Sequence, residues 1–198
     1  MSSSTLSSQV LSLFGAWSQT ERMLRLTTPL GPTQLLAESF KGTEGLSEGF
    51  RLEIIALSTN AHIELKTLLG QPILLELLTA QSRTKLRPFH GHITHIQTVG
   101  SNGGMARYKL TVEPWTAFMA YRRDSTTYQD MNVFDIFKSI FVDYQGQGKL
   151  VAAWRSDILD ESLYPRRSLT TQYQESDLAF INRLMSEEGL FSWIEHQG

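Results

Sequence analysis

Apolar residues recur at two spacings along this chain, and the change of spacing falls at Pro114. Before it, short segments alternate apolar and polar positions as half-buried strands do. Residues 22–28 and 33–40 read as two strands joined by the turn Pro29-Leu-Gly-Pro32, which predicts a hairpin. Gly42, Gly45 and Gly49 punctuate the next loop, and Phe50, Leu52, Ile54 and Ala56 then alternate with Arg51 and Glu53. Asn60 caps a short helix bearing Ile63, Leu65, Leu68 and Leu69, which Gly70 stops with Pro72 just beyond. Residues 73–79 are almost wholly apolar apart from Glu76, the pattern of a central strand covered on both faces. The clearest hairpin joins 86–99 to 105–113 through Gly100-Ser-Asn-Gly-Gly104, which supplies positive-φ positions. In its second arm Ala106, Tyr108, Leu110 and Val112 mark the dry face.

After Pro114 the period becomes helical. Trp115, Phe118, Met119 and Arg122 suit a short helix, and Asn132 caps a second that carries Val133, Ile136, Phe137, Ile140, Phe141 and Tyr144. A loop through Gly146 and Gly148, a strand over 150–154 and a turn at Pro165 follow. Ser176 then caps a helix with Asp177 in its first turn and Leu178, Ile181, Leu184 and Met185 on one face. That helix runs to about Glu188, Gly189 ends it, and residues 190–195 alternate as a strand whose Phe191 and Trp193 read as core. The fold class is therefore α+β and β-rich. An antiparallel β-barrel-like domain over residues 22–113 packs with a smaller helix-containing subdomain over 114–198. Residues 1–21 form a Ser-rich arm, with Leu6, Val10, Leu13, Phe14 and Trp17 on one helical face.

A length of 198 residues suffices for a packed core, burying about 70% of the unfolded surface without staples. Cysteine is absent, which excludes disulfides and thiolate metal sites. Eighteen basic against 20 acidic residues leave a net charge of −2, too little field to hold nucleic acid. No apolar run approaches the ~20 residues of a membrane span, and residues 1–8 lack the positive charge of a signal peptide. Cytoplasmic synthesis without stable membrane insertion is the expectation.

His90, His92 and His95 are the best metal candidates, but alternation sends His95 to the opposite face, so the three close on one ion only across a bulge. No Gly-x-Ser-x-Gly elbow or HExxH helix occurs, and Gly146-Gln-Gly148 follows a helix and lacks a third glycine. Glu44, Glu48 and Glu53 have no sequence reason to converge. The dibasic pairs Arg122-Arg123 and Arg166-Arg167 read as salt-bridged or solvated, and Arg183 pairs with Glu187 four residues on. Neither cofactor nor metal is expected.

Several motifs resemble one known family. They are Phe40-Lys-Gly-Thr-Glu-Gly-Leu-Ser-Glu-Gly-Phe50, Leu68-Leu-Gly-Gln-Pro72, Phe89-His-Gly-His-Ile93, Tyr121-Arg-Arg-Asp-Ser125 with Phe134-Asp-Ile136, and the run from Gln172 to His196. Within them the signature positions are Phe40, Gly42, Glu44, Gly45, Leu46, Phe50, Phe89, His90, Gly91, Gln172, Tyr173, Glu175, Asp177, Phe180, Arg183, Leu184, Glu187, Glu188, Gly189, Glu195 and His196. In this order they resemble the VgrG family, the spike of the bacterial type VI secretion system, which is related to phage tail baseplate hubs. The chain departs at Ser168-Leu169, where the family carries an acidic residue and an aromatic.

The resemblance implies a phage tail hub-like fold and a structural role, with the signature residues packing and not catalysing. It implies a homotrimer in the full-length protein, each subunit presenting two similar barrels to a hexameric haemolysin-coregulated tube protein. Baseplate and effector proteins would be the other partners. The spike is assembled in the cytoplasm, punctures target membranes and is translocated with its effectors, and this chain corresponds to the amino-terminal hub part. A phage tail hub is the nearest alternative. A metal-dependent hydrolase or effector using His90 and His92 is the alternative of a different class.

Overall fold

Strand β3 (Gly49–Ser58) shows how the alternation is used: Phe50, Leu52, Ile54 and Ala56 are buried while Arg51 is exposed and Glu53 half-buried. The computed structural model describes residue 19 and residues 22–80, 82–102 and 104–196, with the backbone alone at 83, 84 and 102. The arm face expected on Leu6, Val10, Leu13, Phe14 and Trp17 lies outside the described residues. Six strands form the larger sheet: β1 (Leu24–Thr27), β2 (Leu36–Gly45), β3, β4 (Pro72–Thr79), β5 (Ser82–Asn102) and β6 (Met105–Glu113). Their order is β1-β4-β5-β6-β3-β2, with every pair antiparallel. The sheet curls until its edge strands β1 and β2 come close, without a hydrogen-bonded ladder between them. Arg22 reaches across that seam to the Ala37 carbonyl at 2.9 Å.

The inner face of the curl holds Leu26, Leu52, Ile54, Leu75, Ile93, Tyr108, Leu110 and Val112, all nearly inaccessible to water. Tyr108 spends its one polar atom at the barrel's end, where its hydroxyl donates to the Asn60 carbonyl at 2.8 Å. Gly91 is required by the same packing. A Cβ there would lie 2.7 Å from the Phe50 ring, 2.8 Å from Val112 and 2.9 Å from the Glu113 carbonyl oxygen. Gly91→Ala should therefore lower stability by about 1–3 kcal/mol, since two buried side chains and a backbone oxygen must all give way. A denaturant midpoint indistinguishable from that of the parent chain would contradict this packing.

A second core lies beyond Pro114. The 3-10 turn Trp115–Ala120 contributes Trp115 and Met119, helix α1 (Val133–Val142) contributes Val133, Ile136, Phe137 and Ile140, and helix α2 (Asp177–Glu187) contributes Phe180, Ile181 and Leu184. Both helices start where the capping residues stand: Asn132 Oδ1 accepts the Asp135 amide at 2.8 Å, and Ser176 Oγ accepts that of Ala179 at 3.2 Å. Strands β7 (Arg123–Met131) and β8 (Arg167–Ser176) pair as a separate two-stranded sheet, with helix α1 against β7 and α2 against β8.

Several expectations are corrected. β1 and β2 do not form a hairpin: β1 pairs with β4, and β2 with β3 through the tight turn at 46–48. That turn closes over three residues with Ser47 and Gly49 at φ 58° and 72°, whereas the two strands flanking Pro29 and Pro32 are separated by eight. Gly42 and Gly45 belong to β2 and not to a loop. Gly42 serves close approach, because the Leu52 side chain occupies the place of its missing one. The helix expected after Asn60 reduces to the 3-10 turn Leu65–Thr67, since Asn60 Oδ1 instead accepts the His62 amide in a local turn. β4 is next to the edge and not central, with only Ile73 and Leu75 buried.

The strand expected over 150–154 makes no ladder. Its backbone is held by side chains instead: His92 accepts the Val151 amide at 3.2 Å and Trp115 Nε1 donates to the Ala153 carbonyl at 3.1 Å. Residues 190–195 likewise pair with no strand, and Phe191 and Trp193 are 63% and 45% exposed, not core. The β7·β8 sheet escaped the sequence because the buried positions of β8 are the polar Thr170 and Gln172 while Leu169 and Tyr173 face outward, and because its connection is a long excursion through α1.

Candidate assembly site

The signature residues fall into three clusters. The first closes one end of the barrel. Phe40 in β2 and Phe89 in β5 stand with ring centroids 5.5 Å apart, and the imidazole of His196 lies 4.7 Å from Phe50 and 5.4 Å from Phe89. His196 Nδ1 accepts the His90 amide at 3.0 Å, and its Nε2 lies 3.6 Å from Glu44, which also faces Arg87 at 3.8 Å. Burial pushes the His196 imidazole below its ordinary pKa, against the nearby Glu44 charge that favours the cation. The segment leading to His196 is pinned to the β2–β3 turn, where the Ser47 amide donates to the Ser192 carbonyl at 2.8 Å. Gly45 lies at that turn, and Leu46 on it is exposed, as are Phe191 and Trp193.

The second cluster surrounds Asp177, which is 1% exposed. Its carboxylate accepts from the Tyr144 hydroxyl at 2.6 Å and from Gln172 Nε2 at 2.8 Å, with Arg122 Nε at 3.6 Å. Arg122 also bonds Asp143 at 2.7 Å and Asp124 at 3.3 Å. Asp143 first, then the Asp177 charge, raises the guanidinium pKa, and burial together with Asp177 raises that of Tyr144. These bonds tie the ends of β7, α1, β8 and α2 together. The depression lined by Arg122, Asp143, Tyr144, Gln147 and Leu150 sits beside them. Asp177 was expected to act as a first-turn charge. Its burial, and the partnership of Tyr144 and Arg122, had no local signal, because the partners lie 33 and 55 positions away in the chain.

The third cluster lies along α2. Arg183 binds Glu175 at 2.6 Å, Glu187 at 3.1 Å as the four-residue spacing suggested, and the Thr171 carbonyl at 3.2 Å, while its guanidinium covers the Phe180 ring at 5.1 Å. Arg167 pairs with Glu187 at 2.7 Å and with Glu188. Leu184 is buried below, and Gly189 ends the helix at φ 67°. Tyr173 points outward from β8, and Glu195 receives Arg155 at 2.6 Å. Both dibasic pairs share one design. One arginine of each binds carboxylates on or beside a helix, and the other bonds a carbonyl whose residue has positive φ, Gln174 for Arg123 and Asp130 for Arg166.

The three barrel histidines are arranged differently from the expectation. A bulge between Ile93 and His95 restores His95 to the face of His90 and His92, as their partners Thr111, Leu74 and Glu113 show. His92 is nonetheless buried against Phe118 while His95 is exposed. Among the described residues no three His, Asp or Glu side chains converge as metal ligands would. His90 and His92 stand 5.9 Å apart by ring centroid, and His92 Nε2 is already engaged by the Val151 amide.

The family model described as phage tail baseplate hub (GPD) matches residues 43–198. The type VI secretion system spike protein VgrG1a of Pseudomonas aeruginosa is 32% identical over 182 residues, covering 90% of this chain and 26% of that protein. VgrG1b of the same organism is 33% identical over 183 residues, covering 92% of this chain and 23% of that protein. The chain thus spans about a quarter of the length of these relatives. Among solved structures, the E. coli c3393 protein, a type VI secretion component with structural similarity to the T4 tail proteins gp27 and gp5, superimposes with a TM-score of 0.65 at 27% identity, covering 82% of this chain and 43% of that one. The tail protein from Neisseria meningitidis MC58 shares the fold, with a TM-score of 0.57 at 12% identity over 88% of this chain and 48% of that one.

Proposed function

The chain belongs to the phage tail baseplate hub (GPD) family, and on that premise we propose that it is the hub part of a type VI secretion spike, acting through its surfaces and not by turnover. The supporting observation is how the signature residues are used. Aromatic, histidine and carboxylate groups that an enzyme would present in a cleft are spent here on closing a barrel end, knotting four chain segments together and bracing a helix. The exposed apolar groups include two signature residues, Leu46 with Phe191 and Trp193 by the β2–β3 turn, and Tyr173 with Leu169 on β8. Residues 22–113 serve as one unit and 114–198 as a second packed onto it, in keeping with their two separate buried clusters.

The partners are other copies of the chain's full-length protein in a trimer, a hexameric tube protein, and baseplate and effector proteins. A trimer meets a sixfold ring in register only when each subunit repeats its contact surface, and in this reading the curled six-stranded sheet is one of the two repeats. Among the described residues no helix is long and apolar enough to cross a membrane. Co-sedimentation with assembled rings of the tube protein tests the reading. The chain fused to a trimeric coiled coil should pellet with the rings and the unfused chain much less. Absence of binding by both forms would overturn it.

A further inference from the structure

Two segments of the second half attach to the barrel at neighbouring residues of β5, and each attachment uses a proton-free imidazole nitrogen. The Val151 amide donates to His92 Nε2 at 3.2 Å, and the His90 amide donates to His196 Nδ1 at 3.0 Å. Because one nitrogen of each ring is the acceptor, the ring proton of the neutral form must sit on the other, His92 Nδ1 or His196 Nε2. Both of those atoms are buried with no hydrogen-bond partner among the described residues. A second proton can therefore enter only at the accepting nitrogen, where it meets an N–H already pointing at it.

We propose that His92 is a proton-sensitive latch that holds residues 149–153 against β5, and that acid releases this segment while the barrel stays folded. The geometry favours local release. Residues 149–153 join no strand ladder, and besides His92 they are held by the Trp115 bond to Ala153, the Leu150 amide bond to the Gln147 carbonyl at 3.0 Å, and the packing of Leu150 and Ala152 on the second core. The core of the barrel is formed by other residues.

The charged surroundings of His92 do not compensate a proton. On its own strand His90 stands 5.9 Å away by ring centroid and repels it, and from the 3-10 turn Trp115–Ala120 only the Phe118 ring packs on it. Across on β6 its partner is Glu113, which is drawn to Arg51 at 3.1 Å and to Thr94. From the released segment the Lys149 backbone favours the cation, but burial outweighs it and pushes His92 down to about 4. His196 is the weaker counterpart: burial lowers it most, Glu44 from β2 and the His90 backbone favour its cation, and the His90 and Arg87 side chains from β5 oppose it.

A closed ring titrating at about 4 and a released ring at the ordinary 6.5 together favour release throughout the window between those values as pH falls. From near neutral to about pH 5 the release equilibrium should rise roughly 25-fold. Hydrogen exchange on the 198-residue chain reads this directly. After correction for intrinsic rates, the Val151 amide should lose roughly 25-fold in protection while the Ile54 and Leu110 amides keep theirs. In His92→Gln, whose side-chain oxygen accepts without titrating, Val151 protection should not change with pH. Should that variant fail to fold, an NMR titration of the His92 ring in the parent chain decides, with a midpoint well below the ordinary value expected. Three results overturn the latch: Val151 protection unchanged by acid, barrel amides exchanging in step with it, or a His92 ring titrating at its ordinary value.

Discussion

Asp177→Ala should cost about 3–5 kcal/mol of stability, measured by denaturant unfolding with unchanged slope. The expectation rests on what the alanine leaves behind. The Tyr144 hydroxyl and the Gln172 amide, both buried, would each lose a charged acceptor, at 2.6 and 2.8 Å respectively. The orphaned hydroxyl costs about 1–3 kcal/mol, the Gln172 amide, which keeps its bond to the Glu175 carbonyl at 3.1 Å, costs less, and loss of a negative charge in the first turn of α2 adds a few tenths more. Arg122 would keep Asp143 and Asp124 and so adds little. Asp177→Asn retains one acceptor and should lie between parent and alanine. Adding Tyr144→Phe to the alanine variant should recover part of the loss, because the hydroxyl that was left unpaired is then absent. A cost for Asp177→Ala below about 1 kcal/mol would show that the carboxylate does not hold these four segments together.

Phe180→Ala should cost a similar amount, about 3–5 kcal/mol. Its ring is fully buried, stacked on Tyr128 at 5.7 Å and covered by the Arg183 guanidinium at 5.1 Å. Truncation removes the centre of the second core and uncouples Arg183, whose remaining partners are on the surface. The loss should be spatially selective. If residues 114–198 form a unit distinct from 22–113, fluorescence of Trp115 and Trp154 should report unfolding before exchange protection at Ile54 and Leu110 is lost. Simultaneous loss at both would merge the two units into one, and an unfolding midpoint equal to the parent's would remove Phe180 from the core.

The ion pairs on the barrel's outer face illustrate a lesser effect. Glu53 is bracketed by Lys41 at 2.7 Å and Lys109 at 2.9 Å, and these hydrogen bonds hold its carboxyl down at about 2. A depressed carboxylate pKa stabilises the fold above the ordinary carboxylate range and loses that contribution as pH falls toward 2. The pairs are solvent-facing, so they shape a charged surface more than they secure the fold.

Legibility followed range. Asn132 and Ser176 announce their helices because a cap and the amide it receives lie three positions apart. β5 and β6 announce their hairpin because glycines with φ 137° and 81° flank the turn and the following arm alternates strictly. The role of Gly42 was misread for the same reason. Nothing in its neighbourhood says that Leu52, ten residues on, will fill its missing side chain. Phe191 and Trp193 were misread because alternation specifies which residues share a face, not whether another layer covers that face.

By itself the sequence determined where helices α1 and α2 begin, which faces of β3 and β6 are apolar, and, through motifs spread over most of the chain, the family. These depend on interactions within a few residues or on matched order. Only the tertiary structure decided that β1 joins β4, that Asp177 is buried, and that His92 and His196 each accept a distant backbone amide. The His90–His196 bond spans 106 positions. A contact at that separation exists only because two cores have packed and brought it together, so no local pattern carries its trace.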